Sequence, residues 1–198
     1  MAFVPYETES GSRGRLWVEE QGMILNAAGM DLVKVDLSPL ARSEKLLKVR
    51  LDGNRLVSVD LSPLAECSSL YRIDLDGNGL HEIDLSPLAG LKELRELYLY
   101  NNNLGNVDLS PLAECPNLRV LDLGGNRLSH IDLSGLGRCE RLNVLALDGN
   151  SLSTLDLTPL SSLRGLTDLY LDHNELQDLD LAPIANLPIL FVLALDNS

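Results

Sequence analysis

The 198-residue chain lacks several features that would assign a protein to a class at once. It has 16 Lys and Arg against 29 Asp and Glu, a net charge of −13. This balance argues against nucleic acid and anionic membranes as partners, because both attract basic surfaces. No apolar run approaches the roughly 18 residues of a membrane-spanning helix. Residues 1–14 have neither the basic lead nor the apolar core of a secretory signal. We therefore predict a chain that uses no nucleic acid and no membrane.

Cysteine is also scarce. The chain contains three cysteines, Cys67, Cys115 and Cys139, which is an odd number, and it has no CxxC pair. This usage is typical of reduced thiols in the cytosol, so we expect a cytoplasmic protein. All three occupy one place in a repeated segment, and other copies of that segment have leucine there. Exchange with leucine predicts buried thiols that behave as small apolar side chains, not as ligands or nucleophiles.

The sequence contains instead a repeat of 24 residues without insertions. A segment of the type VDL begins at positions 35, 59, 83, 107, 131, 155 and 179. Between these segments the pattern LxxLxLxxNxL begins at positions 46, 70, 94, 118, 142 and 166, and starts again at 190. Its asparagine recurs as Asn54, Asn78, Asn102, Asn126, Asn150 and Asn174. The stretch VDLSPLAEC, at 59–67 and 107–115, is one of these segments, so its Asp, Ser and Cys are interpreted as scaffold.

The copies LRELYLYNNNL (94–104) and LRVLDLGGNRL (118–128) resemble the leucine-rich repeat family. The resemblance covers roughly residues 22–198, in a 24-residue variant with a DLSPL segment. It implies an α/β leucine-rich repeat solenoid, a curved horseshoe arc with a parallel β-sheet on the concave face and short helical turns on the convex face. It also implies a non-catalytic protein–protein interaction scaffold, since repeats of this family mostly act as recognition modules.

The residues of a single repeat agree with this arrangement. Leu97 and Leu99 are two positions apart and face the core of a strand, whereas Tyr98 between them faces outward. The asparagine that follows can both donate and accept hydrogen bonds, so it can satisfy backbone groups that the turn leaves unpaired. In the next segment, Ser62 before Pro63 predicts an N-cap and a helix of about one turn.

The aspartate of the DLSPL segment recurs in all seven copies, at 36, 60, 84, 108, 132, 156 and 180. It could form a carboxylate ladder for cations, or each carboxylate could accept hydrogen bonds from the backbone N–H groups of its own turn. The second interpretation is favoured, because bare carboxylates on neighbouring repeats repel each other.

We predict three segments along the chain. Residues 1–14 are expected to be a flexible N-terminal arm. Residues 15–34 are expected to form an N-terminal cap, a degenerate repeat or a β-hairpin of residues 15–19 and 23–26. Residues 35–198 hold the repeats, of which the last is truncated. The absence of a visible cap after LALDNS predicts either a longer natural protein or a homodimer through the exposed C-terminal edge.

No catalytic constellation is evident. The histidines His81, His130 and His173 lie at different places of the repeat, and none has a Ser or Cys partner nearby in the pattern. There is no glycine-rich phosphate loop, since the DGN triplets are turn residues. We therefore predict that the chain is not an enzyme, has no catalytic residues and needs no cofactor.

The candidate binding residues are the outward strand positions, which the repeat leaves free to vary. Tyrosine offers rigid contact area with a hydroxyl group, and an acidic border attracts basic partners. The predicted partner-binding residues are Tyr98, Tyr100, Tyr170, Asp74, Asp122, Asp148, Asp172 and His173. The predicted partner is a protein or peptide of basic character.

Two alternatives remain open. The first is a calcium or other cation site, because hard cations take several oxygen ligands. Its ligands would come from Asp74, Asp76, Asp122, Asp148 and Asp172. The second is a substrate-recognition part of a larger multidomain protein.

Overall fold

The computed structural model describes residues 3–18 and 23–196. Within these ranges short strands alternate with single 3-10 turns. The strands are β1 Phe3–Thr8, β2 Arg13–Trp17, β3 Ile24–Asn26, β4 Leu32–Val35, β5 Lys48–Arg50, β6 Arg72–Asp74, β7 Glu96–Tyr98, β8 Val120–Asp122, β9 Val144–Ala146, β10 Asp168–Tyr170 and β11 Val192–Ala194. The 3-10 helices are Ser38–Leu40, Ser62–Leu64, Ser86–Leu88, Ser110–Glu114, Ser134–Leu136, Thr158–Ser162 and Ala182–Ile184. No helix in the described ranges is long and apolar enough to cross a membrane.

One strand per repeat builds a parallel sheet of eight strands, in the order β3, β5 and then β6 to β11. Neighbouring strands pair in register, as where Ile73 lies beside Leu97 and Leu97 beside Leu121. Equivalent positions of successive repeats therefore form straight columns across the sheet. This arrangement confirms the predicted solenoid with a parallel sheet on one side and short helical turns on the other.

The core is one continuous layer between the sheet and the 3-10 turns. Leu97 and Leu99 are fully buried, as the alternation along the strand predicts, and Leu112 of the following turn is buried as well. One repeat supplies too few apolar side chains to enclose a core alone. Burial is completed by the repeats on either side, so the stability of each repeat depends on its neighbours.

The recurring asparagines join the repeats through backbone groups. The side-chain Nδ2 of Asn126 donates to the carbonyl of Leu123 at 3.0 Å and to that of Leu99, in the preceding repeat, at 2.9 Å. Its Oδ1 accepts from the backbone N–H of Leu104 at 3.1 Å. Equivalent bonds occur at the other copies. The predicted role of this position is confirmed.

The DLSPL aspartates accept backbone hydrogen bonds within their own turns. Asp60 Oδ1 accepts from the Ser62 N–H at 2.9 Å, and the same bond recurs in all seven copies. Hydrogen bonds from the Ser62 side chain and backbone lower the pKa of Asp60. The interpretation of these carboxylates as turn-forming groups is confirmed.

The predicted capping role of Ser62 is wrong. The 3-10 helix spans Ser62–Leu64, so Leu61 occupies the N-cap position, and its side chain makes no capping bond. The backbone N–H of Leu64 donates to the carbonyl of Leu61 at 2.8 Å, and the Asp60 carboxylate accepts from the N–H of Ser62. The helix is a single 3-10 turn of three residues.

The amino-terminal region differs most from the prediction. β1 lies between β2 and β4 and is antiparallel to both, which makes a separate three-stranded sheet. The flexible arm predicted for residues 1–14 is therefore wrong at residues 3–8 and 13–14, which form strands. Val4 explains this order, because its fully buried side chain anchors β1 to the core. Phe3 and Trp17 also make an edge-to-face contact across β1 and β2, with ring centroids 4.9 Å apart.

The predicted hairpin of residues 15–19 and 23–26 is also wrong where it can be seen. β2 pairs with β1, while β3 pairs with β5 and forms the first strand of the parallel sheet. Leu25 is fully buried in the core of that sheet, which draws β3 away from β2. Glu19 and the predicted turn at 20–22 lie outside the described residues. The domain boundaries themselves stay a prediction.

The opposite end of the parallel sheet is the edge strand β11. Phe191 is 92% exposed there. Leu193 and Leu195 are only partly buried, whereas the equivalent residues of inner repeats are fully buried. Asn197 and Ser198 of the terminal LALDNS stretch lie outside the described residues. Association of two chains through this edge stays a prediction.

Candidate binding surface

The concave face is the side of the eight-stranded sheet that turns away from the core, and it carries three columns of side chains. The entry column, at the start of the strands, holds Lys48, Arg72, Glu96, Val120, Val144, Asp168 and Val192. The central column holds Arg50, Asp74, Tyr98, Asp122, Ala146, Tyr170 and Ala194. The exit column, just after the strands, holds Asp52, Asp76, Tyr100, Gly124, Asp148, Asp172 and Asp196.

A charged network occupies the first half of this face and is centred on Arg72. Its guanidinium group contacts Asp74 Oδ2 at 2.6 Å and Glu96 Oε2 at 3.0 Å. The same group lies over the ring of Tyr98, with Cζ 4.4 Å from the centroid. Asp74 is only 4% exposed. Asp74 is therefore a buried carboxylate that neutralises the charge of Arg72.

Tyr100 lies in the middle of the exit column and is 45% exposed. The next residue in that column is Gly124, which has no side chain. A Cβ atom on Gly124 would lie 3.1 Å from Tyr100 Cδ2 and 2.7 Å from Asp148 Oδ1. The tyrosine ring and the carboxylate therefore both rest over this glycine, one from each side.

Asp76 receives a hydrogen bond from the next repeat, since its Oδ1 accepts from the Tyr100 N–H at 2.7 Å. Burial raises the pKa of Asp76 from its ordinary 3.8 to about 7, and the charges of Asp74, Asp122 and Asp52 add to the rise. The hydrogen bond acts in the opposite direction but does not offset the burial. Asp76 is therefore a carboxylate held in surroundings that disfavour its charge.

Asp122 and Asp148 share this property. Burial raises the pKa of both, and the charge of Asp148 adds to the rise at Asp122. Asp122 Oδ1 accepts from the Gly124 N–H at 3.0 Å. In the part of the chain that the structure describes, neither these two carboxylates nor Asp76 forms an ion pair with Lys, Arg or His.

The far end of the face holds the remaining candidates. His173 Nδ1 lies 2.7 Å from Asp172 Oδ2, so the structure brings these two together. His173 has φ of 56° at the place where several repeats have glycine with positive φ. Tyr170 lies three strands from Tyr98, about 14 Å away at 4.8 Å per strand. The predicted tyrosines thus share one face without forming a single cluster.

The structure offers no basis for the calcium alternative. Among residues 3–18 and 23–196, no group of three or more His, Cys, Asp or Glu side chains is arranged to hold a metal ion. Two of the five candidate ligands also have other partners, since Asp74 contacts Arg72 and Asp172 contacts His173.

The cysteines lie in the core. Cys67, Cys115 and Cys139 are free and buried. The thiols of Cys115 and Cys139 donate to the carbonyls of Leu88 and Leu112 in the preceding repeats, at 3.2 and 3.3 Å. Burial raises the pKa of Cys115 to about 11 and that of Cys139 to about 12, so neither ionises near neutral pH. Their predicted burial is confirmed.

Two features of this face were missed from the sequence. The first is the Arg72 network, which joins the entry and central columns. The alternation of charge among Arg72, Asp74 and Glu96 in adjacent repeats is the signal that could have revealed it. The second is the contact of Tyr100 and Asp148 over Gly124, for which a glycine between larger residues of one column is the signal.

Comparison with known proteins follows this geometry. A family model described as Leucine rich repeat matches residues 44–104, 68–128, 92–144 and 140–198. Among solved structures, internalin C2 from Listeria monocytogenes is similar at 36% identity and a TM-score of 0.66, over 80% of this chain and 66% of that one. A leucine-rich repeat protein from Leptospira interrogans is similar at 26% identity and a TM-score of 0.68, over 76% of this chain and 37% of that one. No curated protein sequence matches the chain.

A third similar structure is the ectodomain of the plant membrane receptor kinase GASSHO1/SCHENGEN3 from Arabidopsis thaliana, in complex with Casparian strip integrity factor 2. It shares 29% identity and a TM-score of 0.70, over 80% of this chain and 19% of the ectodomain. The chain thus spans less than two thirds of the length of each of these three proteins.

Proposed function

Because the chain belongs to the leucine-rich repeat family, whose domains are commonly protein–protein interaction modules, we propose that it is a non-catalytic module that binds a protein or peptide on its concave face. The proposal concerns these repeats, whether they act alone or as the recognition part of a longer protein. Cytoplasmic location belongs to the same proposal and rests on cysteine usage alone.

The observation that carries the proposal is the exposure of Tyr100 in the middle of an ordered sheet. The inward positions of each repeat follow the leucine and asparagine pattern, whereas the outward positions vary from strand to strand. Large exposed aromatic side chains on a rigid surface favour contact with a partner, because they bury much area at a small cost in conformational entropy. Tyr98, two residues earlier at the end of β7, extends this aromatic area.

The absence of a catalytic arrangement supports the non-catalytic part. In the described residues, the hydrogen bond of a histidine side chain joins His173 to Asp172, and no histidine side chain hydrogen-bonds to a serine or cysteine side chain. The buried cysteine thiols are protonated near neutral pH and are therefore poor nucleophiles. The receptor ectodomain named above, whose structure is a complex with Casparian strip integrity factor 2, illustrates recognition by a similar fold.

The test uses the whole chain and a displayed library of random peptides. Peptides selected on the native chain are synthesised, and their affinity is measured by fluorescence anisotropy. The variant Tyr98→Ala/Tyr100→Ala/Tyr170→Ala should weaken binding by about tenfold or more, which corresponds to about 1.4 kcal/mol. Circular dichroism establishes that this variant is folded.

A matched control removes three exposed side chains on the side of the 3-10 turns. Arg42, Glu66 and Arg138 form ion pairs there, far from the sheet. Their joint replacement by alanine should leave peptide affinity unchanged. Equal loss in both variants, or no loss in the tyrosine variant, would overturn the proposed function.

A further inference from the structure

The acidic residues of the concave face fall into two groups. The first group forms ion pairs with arginine within the chain: Asp52 contacts Arg50 at 3.3 Å and Asp74 contacts Arg72 at 2.6 Å. The second group, which includes Asp76, Asp122 and Asp148, forms no ion pair with arginine or lysine in the described ranges. The middle of the face therefore carries carboxylates that no arginine or lysine of the described chain neutralises.

Asp76, Asp122 and Asp148 lie next to Tyr100 and Gly124 in the middle of the face. Along the exit column the order is Asp76, Tyr100, Gly124 and Asp148, on successive repeats. Asp76 reaches the Tyr100 N–H, and Asp122 reaches the Gly124 N–H from the central column. Asp148 closes the far side, over Gly124. Asp122, Asp148 and the exposed Tyr100 ring thus adjoin Gly124, and Asp76 contacts the backbone of Tyr100.

A neighbouring site on the same sheet already combines a tyrosine ring, carboxylates and a guanidinium group. There, the Tyr98 ring is covered by the Arg72 guanidinium, which is held in turn by Asp74 and Glu96. That arrangement consists of a tyrosine, two carboxylates and one guanidinium. The spot at Tyr100 has the tyrosine and the carboxylates and lacks the guanidinium.

The electrostatics support the same conclusion. Partial burial and neighbouring negative charges make ionisation of Asp76, Asp122 and Asp148 unfavourable, as their raised pKa values indicate. A cation brought to this spot would lower the energy of all three charged carboxylates at once. A cation over an aromatic face is attracted by the ring as well.

The surroundings suit a side chain that is apolar along its length and charged at its tip. Ala146 occupies the central column beside Asp122. Val120 and Val144 lie behind them in the entry column and are partly buried. An arginine stem can lie along such residues while its head group remains among the carboxylates.

We propose that the middle of the concave face takes an arginine side chain of a bound peptide or protein, with its guanidinium among Asp76, Asp122 and Asp148 and stacked on Tyr100. This proposal rests on the proposed function, since it names the chemistry of the partner for the same face. Arginine is preferred to lysine because a planar guanidinium can contact two carboxylates and a ring together.

The test compares two charge-matched variants of the whole chain. Asp76→Asn/Asp122→Asn/Asp148→Asn removes three charges from the spot and keeps the side-chain oxygens that accept backbone hydrogen bonds. The control Asp36→Asn/Asp60→Asn/Asp84→Asn removes three charges from the DLSPL turns and likewise keeps an acceptor oxygen. Circular dichroism confirms folding of both.

Peptides selected from the displayed library should be enriched in arginine. Their affinity should fall by about tenfold or more in the concave variant and stay unchanged in the control. Replacing the peptide arginine by citrulline, its uncharged isostere, should cause a similar loss. Peptides without arginine, or peptides that bind the concave variant as well as the native chain, would overturn the proposal. So would equal binding after replacement of that arginine by lysine.

The two proposals fail in different ways. Peptides that lose affinity for the tyrosine variant but bind the triple asparagine variant normally would uphold the concave-face function and overturn the arginine spot. Peptides that are indifferent to both sets of substitutions, or a library that yields no binder, would overturn both.

Discussion

Asp76 provides the sharpest test of the electrostatics of the concave face. Its carboxylate is partly buried, accepts the Tyr100 N–H at 2.7 Å and has no cationic partner in the described part of the chain. Its pKa is raised to about 7, chiefly by burial. The substitution Asp76→Asn keeps an oxygen that can accept the Tyr100 N–H and removes the charge. It therefore separates the electrostatic effect from the hydrogen bond.

The direction of the effect follows from linkage. In the unfolded chain an aspartate titrates near pH 4, whereas in the folded chain Asp76 titrates near pH 7. Between these values the folded state binds a proton that the unfolded state has released. The contribution of Asp76 to stability is therefore fully present below about pH 4 and is lost as the pH rises through about 7.

The magnitude follows from the same shift. A rise of about three units, at 1.36 kcal/mol for each unit, sets an upper limit of about 4 kcal/mol. Because the carboxylate keeps some access to water, solvent screening reduces this, and we expect about 2 kcal/mol. Asp76→Asn should thus be about as stable as the native chain near pH 4, and more stable by about 2 kcal/mol near pH 8.5.

The assay is urea unfolding at both pH values, followed by circular dichroism. Asp36→Asn is the control of opposite sign, because hydrogen bonds from Ser38 lower the pKa of Asp36 and its charge is favoured in the folded state. That variant should gain no stability at alkaline pH. A difference between the native chain and Asp76→Asn that does not change with pH would refute the reasoning.

Four further predictions concern the scaffold. Asn126→Ala should lower the free energy of unfolding by about 3 kcal/mol, since it leaves several buried backbone groups unpaired, whereas the exposed Asn106→Ala should change it little in urea unfolding. Gly135→Pro introduces the proline found in the other repeats but should reduce stability by about 2 kcal/mol, because a Cβ atom there meets the backbone of the preceding repeat. The melting temperature should fall accordingly, and an unchanged value would contradict this. His173→Gly should stabilise the fold by about 1 kcal/mol by relieving its φ of 56°, and destabilisation in the same assay would count against it. Light scattering should show a mass that rises with protein concentration and falls with Phe191→Asp, and a constant monomer mass would exclude association through β11.

The repeat made much of the scaffold predictable. Leu97, Asn102 and Asp108 each lie among the same kinds of residue as their copies one repeat before and after. A position that recurs every 24 residues in a stacked array has one environment, so its residue type reports that environment directly. The burial of the cysteines followed from the same reasoning, because they share a position with leucine.

The amino-terminal strands were not predictable in this way. β1 and β2 belong to no repeat, and the pairing of β1 with β4 joins residues about 25 positions apart. Nothing in the alternation of so short a segment distinguishes an arm from a strand. The buried Val4 and the contact between Phe3 and Trp17 decide the outcome, and both depend on where the rest of the chain lies.

The sequence by itself determined which side chains occupy the concave face, because strand alternation and a constant repeat length leave no other arrangement. It did not determine which charges remain free there. Only the tertiary structure decided that Arg72 contacts Asp74 and Glu96 and leaves Asp76 without a cation. Ion pairing across strands is a competition among several neighbours, and differences of a few ångströms decide it. The sequence therefore located the surface, and the fold decided where on that surface a partner's charge is needed.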